Sequence, residues 1–246
     1  MKKTNSISNI IKSISFVLLA IIVFASCKKS STSDTGKLSL QLNAVNSGAV
    51  KTANTSDLKT FGAAVSTNTV PTGITWTSGY IYVSEIDFKA TKDNTTEIKY
   101  KSEGLRKIDL FNVNASAGEF TIPSGVYSKI KLEMEIGTPQ GAKDPGVYLS
   151  GTYGTTPIVF ADDESGDQFE VEVEGRNFTF DGTKDYNSLV NLHLNLLLNG
   201  VSNADLDAAT KTNGTIVINH TSNVAIYQKA KQNLQNLSDS DFKEKD

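Results

Sequence analysis

The chain has few of the side chains that build covalent and metal sites. Its 246 residues include one Cys and two His, which excludes an intrachain disulfide and a four-thiolate zinc site. The formal net charge of −3 provides no basic excess for neutralising phosphates, so we expect no nucleic-acid partner. The sequence also lacks the H-E-x-x-H metal motif, the G-x-S-x-G nucleophile motif and a phosphate-binding glycine loop. It therefore predicts a protein with no cofactor and no enzymatic activity.

No apolar run is long enough to span a bilayer, which takes about 20 residues. The most apolar run, residues 16–25, follows a positive region that contains Lys2, Lys3 and Lys12. Two small residues then lead to Cys27, the only Cys of the chain. This order is typical of a secretory signal and resembles the lipobox of bacterial lipoproteins, in which the Cys is acylated after cleavage. We therefore expect lipidation at Cys27 and anchoring in the bacterial envelope, at the outer membrane, on its periplasmic face or at the cell surface.

The composition of the remaining sequence indicates a tether, one domain and a tail. Residues 1–26 are the predicted signal peptide, and residues 27–36 are small and polar, as expected of a flexible tether. Residues 37–237 show no linker and are predicted to form one domain, although two small stacked sandwiches meeting near residues 138–145 would fit the same pattern. The charged residues 238–246 are predicted to be a frayed tail.

Short segments of alternating apolar and polar residues, separated by turn residues, dominate the predicted domain. The alternating leucines of residues 38–42 form the first such strand. In residues 80–89 the apolar positions change parity, and a β-bulge at residues 84–85 would return all of them to the core. Together these segments predict an all-β fold, an antiparallel β-sandwich of about ten strands. Ser202 is predicted to cap a short helix over residues 203–210, and Ser222 a short C-terminal helix in which Ile226 and three later apolar residues have helical spacing.

Three further segments carry strand predictions. Residues 126–136 are predicted to be one strand, with Val126 on its buried face and Lys131 on its wet face. The glutamates of residues 170–174 alternate with apolar residues, and Lys129 and Lys131 would be their cross-strand partners if the two strands are neighbours. Residues 189–198 are the most apolar stretch of the domain and are predicted to be a strand.

Four segments occur in the order found in a known family. They are GKLSLQL from Gly36, YIYVSEIDF from Tyr80, RKIDLFN from Arg106 and FTIPSGVYSKIKLEMEI from Phe120. Together they resemble a family of Bacteroidota-type lipoprotein domains of unknown function, over residues 36–136. The resemblance implies a secreted β-sandwich of transthyretin-like or immunoglobulin-like appearance at the cell envelope. It implies no activity.

The aromatic residues that follow the long polar segment 44–75 are candidates for ligand binding. Trp76, Tyr80 and Tyr82 lie close together in the sequence. Aromatic rings at the edge of a loop can bind a glycan or an envelope protein, or they can anchor the loop to the sheet by burial. The sequence leaves these two interpretations open.

Four acidic residues of one predicted hairpin loop are candidate calcium ligands. Oxygen-rich loops at the edge of a sandwich can hold Ca²⁺, although the spacing here does not fit the D-x-[DN]-x-[DN]-G loop and would also suit a solvated turn. Neither His has the spacing of a metal ligand. The candidates are Asp162, Asp163, Glu164 and Asp167.

These features together predict a cell-envelope lipoprotein that acts as a non-catalytic binding or interaction module. Its expected partners are the membrane, through the N-terminal lipid, and a glycan or an envelope protein. A fimbrillin-like structural or adhesin subunit assembled by strand exchange is the first alternative. A glycan-directed hydrolase that uses a carboxylate pair in residues 170–174 is the second.

Overall fold

In its described residues, the computed structural model has two β-sheets with two α-helices packed beside them. The predicted all-β sandwich with a short C-terminal helix is confirmed, with thirteen strands in this part of the chain rather than about ten. The buried apolar residues form one contiguous core. The predicted signal peptide and Cys27 lie outside the described residues. The structure describes residues 34–46, 70–112, 115–140, 144–164, 168–173, 177–235 and 237–244. In residues 168–173 and 239–244 it describes the backbone alone.

The first sheet is built on the alternating leucines near the start of the domain. Leu38, Leu40 and Leu42 are fully buried, as expected for one face of a strand. Their strand runs parallel to one neighbour and antiparallel to the other. The alternation in the sequence determines which side chains are buried but not the direction of the neighbouring strand. The strands are β1 (Thr35–Val45), β4 (Ser116–Pro123), β10 (Tyr186–His193) and β13 (Ser238–Glu244), in the order β13-β10-β1-β4.

The second sheet is organised around one long strand, β2 (Ile74–Lys92). Along one edge, β2 pairs with a single strand, and along the other it pairs with two strands placed end to end. The first edge is taken by β3 (Thr96–Asp109), and the second by β5 (Gly125–Ile136) and β6 (Val147–Tyr153). The sheet is extended by β7 (Thr156–Asp162), β8 (Gln168–Val173), β9 (Phe178–Phe180), β11 (Lys211–Thr212) and β12 (Thr215–Ile218).

A β-bulge in β2 decides which of its side chains enter the core. The register of β2 against both neighbours shifts between Val83 and Glu85. Ile81 and Val83 before the bulge, and Ile86 and Phe88 after it, are all fully buried. The extra residue of a bulge reverses the parity of the strand and so returns the later apolar positions to the same face. The bulge predicted from the parity change is therefore confirmed.

Aromatic rings connect the inner faces of the two sheets. Phe88 of β2 and Phe120 of β4 lie with their ring centroids 6.1 Å apart. Tyr186 of β10 meets Phe180 of β9 edge-on, with centroids 4.8 Å apart and an interplanar angle of 69°. Tilted and edge-on arrangements are favoured for aromatic pairs. At the two sides of the sandwich, β3 lies beside β4 and β8 lies beside β13.

The two α-helices, α1 (Asn203–Asp207) and α2 (Val224–Leu234), follow local signals in the sequence. Ser202 caps α1 as predicted, because its Oγ accepts the backbone N–H of Asp205 while the Asp205 carboxylate accepts the backbone N–H of Ser202. In α2, Ile226 and the apolar residues at helical spacing after it are buried. The N-cap of α2 is Asn223 and not Ser222, so the cap predicted for this helix was wrong. Among the described residues, no helix is long and apolar enough to cross a membrane.

Two of the strand predictions were wrong in detail. Val126 is 36% exposed and Tyr127 is fully buried, the reverse of the prediction. A positive φ of 50° at Lys129 and a register shift against β2 reverse the parity at the start of β5. In the other case, β10 ends at His193, and the leucines that follow begin with a 3₁₀ turn, Leu194–Leu196. The predicted strand over residues 189–198 therefore stops about halfway.

The predicted frayed tail, residues 238–246, is instead a strand in its described part. Ser238–Glu244 forms β13 and pairs antiparallel with β10, from Ser238 opposite Leu192 to Glu244 opposite Tyr186. The backbone of β10 provides the hydrogen-bonding groups for this pairing, so a charged segment can form a strand there. Charged residues on an outer strand also disfavour pairing with other molecules.

Candidate functional site

Trp76 belongs to the hydrophobic core. Its side chain is 2% exposed, and the indole Nε1 donates a hydrogen bond to the carbonyl oxygen of Leu194 at 3.2 Å. The Asn46 side chain holds the backbone of Trp76, because it accepts the N–H and donates to the carbonyl oxygen. The register of β2 against β6 shifts between Trp76 and Ser78. Even-numbered residues of β2 just before and just after this shift therefore lie on opposite faces of the sheet, so that Trp76 points inward and Tyr80 outward. The expectation that Trp76 contacts a ligand is therefore corrected, and the anchoring interpretation applies.

Tyr80 and Tyr82 lie on the outer face of the second sheet, where they meet a third tyrosine that the sequence analysis missed. Tyr148 of β6 lies directly opposite Tyr80 of β2. These two rings are stacked with centroids 5.4 Å apart and planes 19° apart, and Tyr82 meets Tyr80 edge-on at 5.6 Å. No local pattern pairs Tyr148 with Tyr80, since strand register is a long-range property. Together with Lys107 of β3, these three tyrosines form a surface that we call the tyrosine face.

Lys107 orders the rings of the tyrosine face. Its Nζ lies 3.7 Å from the ring centroid of Tyr80 and 5.3 Å from that of Tyr82, both within the range of cation–π contacts. The same nitrogen lies 3.5 Å from Oδ2 of Asp144, which also accepts a hydrogen bond from the Tyr82 hydroxyl at 3.1 Å. Because Lys107 and Asp144 are about half exposed, these contacts add little stability. Their main effect is to hold the rings in one arrangement.

Tyr80 and Lys107 are held in their ordinary protonation states. Burial raises the pKa of Tyr80, and the negative charge of Asp144 raises it further. Burial alone would lower the pKa of Lys107, but Tyr80, Tyr82 and Asp144 together raise it. Near neutral pH the phenol is therefore uncharged and the ammonium is charged.

An open groove of about 400 Å³ runs beside the tyrosine face. Its volume lies within the range typical of small-molecule sites, about 300–1,000 Å³. The Ser78 hydroxyl, the Lys107 ammonium and the Asp109 carboxylate place donors and acceptors next to ring surface. Asp109 is oriented by the backbone N–H of Phe111, which donates to its Oδ1 at 2.9 Å. The lining residues are Ser78, Gly79, Tyr80, Lys107, Asp109 and Tyr148.

The rest of the outer face of β2 carries ion pairs instead of aromatic rings. Glu133 of β5 pairs with Lys89 and with Lys131. Hydrogen bonds from both lysines lower the pKa of Glu133, and the one from Lys89 has the larger effect. On the other side of β2, Nζ of Lys101 lies 2.5 Å from Oε1 of Glu85. Such surface pairs are worth little individually, at most about 1 kcal/mol each. This part of the face has the composition of an ordinary solvated sheet.

The glutamates considered as a hydrolase pair lie on β8, which is a neighbour of β5 as the cross-strand pairing required. The register places Glu172 opposite Lys131 and Glu170 opposite Glu133. Opposite charges at directly facing positions stabilise a strand pair and like charges destabilise it, so the Glu172–Lys131 pair is favourable and the Glu170–Glu133 pair is not. The register places these glutamates opposite charged residues of β5, and a hydrolase pair among them stays a prediction.

Asp162, the first residue of the candidate calcium loop, is fully buried where α2 packs on β7. Its Oδ1 accepts hydrogen bonds from the Tyr227 hydroxyl at 2.7 Å and from the backbone N–H of Glu164 at 3.1 Å. Its Oδ2 has no hydrogen-bond partner among the described residues. Tyr227 also stacks on Phe160, with centroids 6.1 Å apart. Asp162 thus fastens α2 to the second sheet.

The next two acidic residues of that loop each contact a different basic side chain. Oδ1 of Asp163 lies 2.7 Å from Nδ1 of His220, and Glu164 pairs with Lys231 of α2. In the part of the chain that the structure describes, no group of three His, Cys, Asp or Glu residues is arranged to hold a metal ion. Asp167 lies outside that part. The described acidic residues therefore act through separate contacts, and a calcium site stays a prediction.

No family model, curated protein or solved structure compared with the chain matches it. The resemblance of residues 36–136 to the Bacteroidota-type lipoprotein family therefore stays a prediction. Any functional conclusion depends on the geometry of the site and on the N-terminal sequence.

Proposed function

We propose that the protein is a lipid-anchored module of the bacterial envelope that binds a ligand at the tyrosine face without catalysis. The observation that carries this proposal is the ordered arrangement of Tyr80, Tyr82, Tyr148 and Lys107 beside an open groove. Aromatic surface with a few convergent polar groups is the usual composition of a binding site.

The electrostatics of the groove favour binding over catalysis. A catalytic tyrosine or lysine needs a pKa lowered toward the working pH, so that it can act as a base or a nucleophile. The pKa of Tyr80 is raised by burial, and that of Lys107 is raised by its tyrosine and carboxylate neighbours against the effect of burial. Both groups therefore keep their protons and serve as hydrogen-bond donors.

Incorporation of labelled palmitate into cells that express the full chain tests the anchor. We expect labelling and membrane association of the wild-type chain, and loss of both in Cys27→Ala, because no other Cys can be acylated. Ser30→Ala, a change within the predicted tether, is the matched control and should be labelled normally. An unlabelled wild-type chain would contradict the anchor without bearing on the tyrosine face.

Surface plasmon resonance on the full chain, purified in detergent and immobilised, tests the binding site. Polysaccharide and solubilised-protein fractions from the envelope of the source bacterium are passed over wild type, Tyr148→Ala and Tyr153→Ala. We expect a response that falls about tenfold or more in Tyr148→Ala, a loss of about 1.4 kcal/mol in binding. Tyr153 lies on the same strand, where its hydroxyl donates to Asp207, and its variant should respond like wild type. Equal responses from all three proteins would refute the proposal.

The alternative of a subunit assembled by strand exchange has less support. β1 is paired along both edges, with β10 and with β4, so it is an internal strand of its own sheet. The last described strand, β13, is likewise paired within the domain. Exchange of either strand would require the loss of these hydrogen bonds before new ones form.

A further inference from the structure

The tyrosine face interrupts an otherwise charged surface. Toward Lys92, the outer face of β2 and its neighbours is covered by ion pairs such as Lys89 with Glu133 and Lys101 with Glu85. Toward Ile74, the same face presents three half-buried tyrosines, with the rings of Tyr82 and Tyr148 each within about 6 Å of the ring of Tyr80. Clustered aromatic side chains on an outer surface mark contact sites more often than solvated faces.

Contacts within the protein hold the rings of this face. Tyr80 is held between the Lys107 ammonium and the ring of Tyr148, and Tyr82 is tied through its hydroxyl to Asp144. A ligand would therefore meet a surface that has already lost most of its side-chain freedom. Such preorganisation reduces the entropic cost of binding, which is about 0.5–1.5 kcal/mol for each side chain that must be immobilised.

The polar groups around the groove suit a ligand rich in hydroxyls. The Ser78 hydroxyl can donate and accept, the Lys107 ammonium only donates, and the Asp109 carboxylate only accepts. These groups flank the Tyr80 and Tyr148 rings, so one ligand could place an apolar face on a ring and direct hydroxyls to both sides. A pyranose sugar has this combination, with C–H groups on its ring faces and hydroxyls around its edge.

The charges of the groove disfavour ionic ligands. Lys107 is the one cation among the lining residues, and its ammonium is already shared between the tyrosine rings and the Asp144 carboxylate. A phosphate, sulfate or uronic acid would meet the carboxylates of Asp109 and Asp144 beside that single ammonium. A cationic ligand would have to displace Lys107 from the ring of Tyr80. A neutral ligand avoids both costs.

We infer that the ligand of the tyrosine face is a neutral carbohydrate chain, bound by stacking of a pyranose ring on Tyr148 and by hydrogen bonds to Ser78, Lys107 and Asp109. This inference rests on the proposed function and specifies its ligand. The open shape of the groove, on a sheet face and not in an enclosed cavity, accommodates an internal segment of a chain as well as its end.

Isothermal titration calorimetry on the full chain in detergent tests the inference. The probes are neutral hexasaccharides, namely β-1,4-glucose, α-1,4-glucose, β-1,4-mannose and β-1,4-N-acetylglucosamine chains, with hexagalacturonate as the acidic comparison. We expect at least one neutral probe to bind with a Kd of about 10 μM to 1 mM, and more tightly than the acidic probe. Tyr148→Ala should raise that Kd about tenfold or more, whereas Tyr148→Phe, which keeps the ring, should stay within about twofold.

Two further variants separate the roles of the groove and of general folding. Asp109→Asn retains the shape of the side chain but weakens it as an acceptor, so it should raise the Kd several-fold. Tyr153→Ala, outside the tyrosine face, should leave the Kd unchanged. Thermal melting of every variant identifies any that fails to fold, and Tyr148→Phe keeps the test valid if Tyr148→Ala does.

The outcomes distinguish this inference from the proposed function. If no neutral probe binds at millimolar concentration, or if hexagalacturonate binds more tightly than the neutral probes, the inference of a neutral carbohydrate ligand is wrong. If a response in surface plasmon resonance still depends on Tyr148, the binding module stands: its ligand is a protein when the response comes from the protein fraction, and a polysaccharide of another kind when it comes from the polysaccharide fraction. If neither measurement depends on Tyr148, both the inference and the proposed function are wrong.

Discussion

The ammonium of Lys107 lies 3.7 Å from the ring centroid of Tyr80, although the two residues are not directly opposite each other in the sheet. Asp109 faces Tyr80 across the β2–β3 pair, and Lys107 faces Tyr82. Diagonal neighbours in an antiparallel pair are within reach of long side chains. The contact therefore depends both on the register of β2 and β3 and on the length of the lysine side chain.

Removal of this cation–π contact should weaken the fold slightly and disorder the rings. We expect Lys107→Ala to lower the free energy of unfolding by about 0.5–1 kcal/mol, measured by urea denaturation of the full chain in detergent. Lys107→Arg should lose less, because a guanidinium also stacks on aromatic rings. Lys99→Ala, which breaks an exposed pair with Glu97, is the control. Equal stability of Lys107→Ala and Lys99→Ala would argue against the contact.

Substitution of Tyr227 should lower the free energy of unfolding, because it removes a hydrogen bond from the buried carboxylate of Asp162. Tyr227→Phe removes the donor to Oδ1 while Oδ2 has no described partner, so we expect a loss of about 1–3 kcal/mol in the free energy of unfolding. Tyr153→Phe removes a comparable hydrogen bond from an exposed site and should cost less than about 1 kcal/mol. A Tyr227→Phe variant as stable as Tyr153→Phe would show that the Asp162 contact contributes no more than an exposed one.

Trp76 should affect stability and leave ligand binding unchanged. Trp76→Phe loses the hydrogen bond to Leu194 and leaves unfilled volume in the core, so we expect destabilisation by about 2–4 kcal/mol. The affinity for whichever probe binds the tyrosine face should remain within about twofold of wild type at a temperature where the variant is folded. If Trp76→Phe instead lost affinity and kept its stability, Trp76 would be shown to contact the ligand.

Alkaline pH should destabilise the domain through Tyr127. Burial raises the pKa of Tyr127 to about 12, above the ordinary value near 10 expected in the unfolded chain. Between these values the unfolded chain loses a proton that the folded protein retains, so stability is intact below pH 10 and falls as the pH rises toward 12. The slope from this group is at most about 1.4 kcal/mol per pH unit.

The control for this pH dependence is Tyr127→Phe, which has no ionisable group. It also loses the hydrogen bond to the Pro123 carbonyl oxygen, so it should be less stable than wild type at pH 8. Its further loss between pH 9.5 and 11.5, measured by urea denaturation, should be smaller than that of wild type. Parallel losses in the two proteins would show that Tyr127 does not control the alkaline transition.

Several elements were predictable because their causes are local in the chain. The alternating leucines of β1, the parity change that required a bulge before Glu85, and the Ser202 cap of α1 each depend on residues within a few positions of one another. In each case the side chains and backbone groups that interact are neighbours in the sequence. The same reasoning succeeded for the apolar spacing of α2.

Other features could not be predicted because they depend on pairing between distant segments. A second register shift, between Trp76 and Ser78, places the side chains of Trp76 and Tyr80 on opposite faces of the sheet. No change in the apolar pattern of the sequence indicates this shift. The charged residues 238–244 form a strand because the edge of β10 is available to them. Asp162 looked like part of a solvated loop, but it lies under Tyr227 of α2.

By itself, the sequence determined that the domain is an all-β sandwich with a short C-terminal helix, because the periodicity of apolar residues is a local property. The tertiary structure decided which aromatic residues form the tyrosine face. Tyr148 meets Tyr80 only through the pairing of β6 with β2, and Lys107 reaches the same ring only through the pairing of β3 with β2. Strand register is set by the packing of the whole sheet, so the composition of this surface is a property of the fold and not of any one segment.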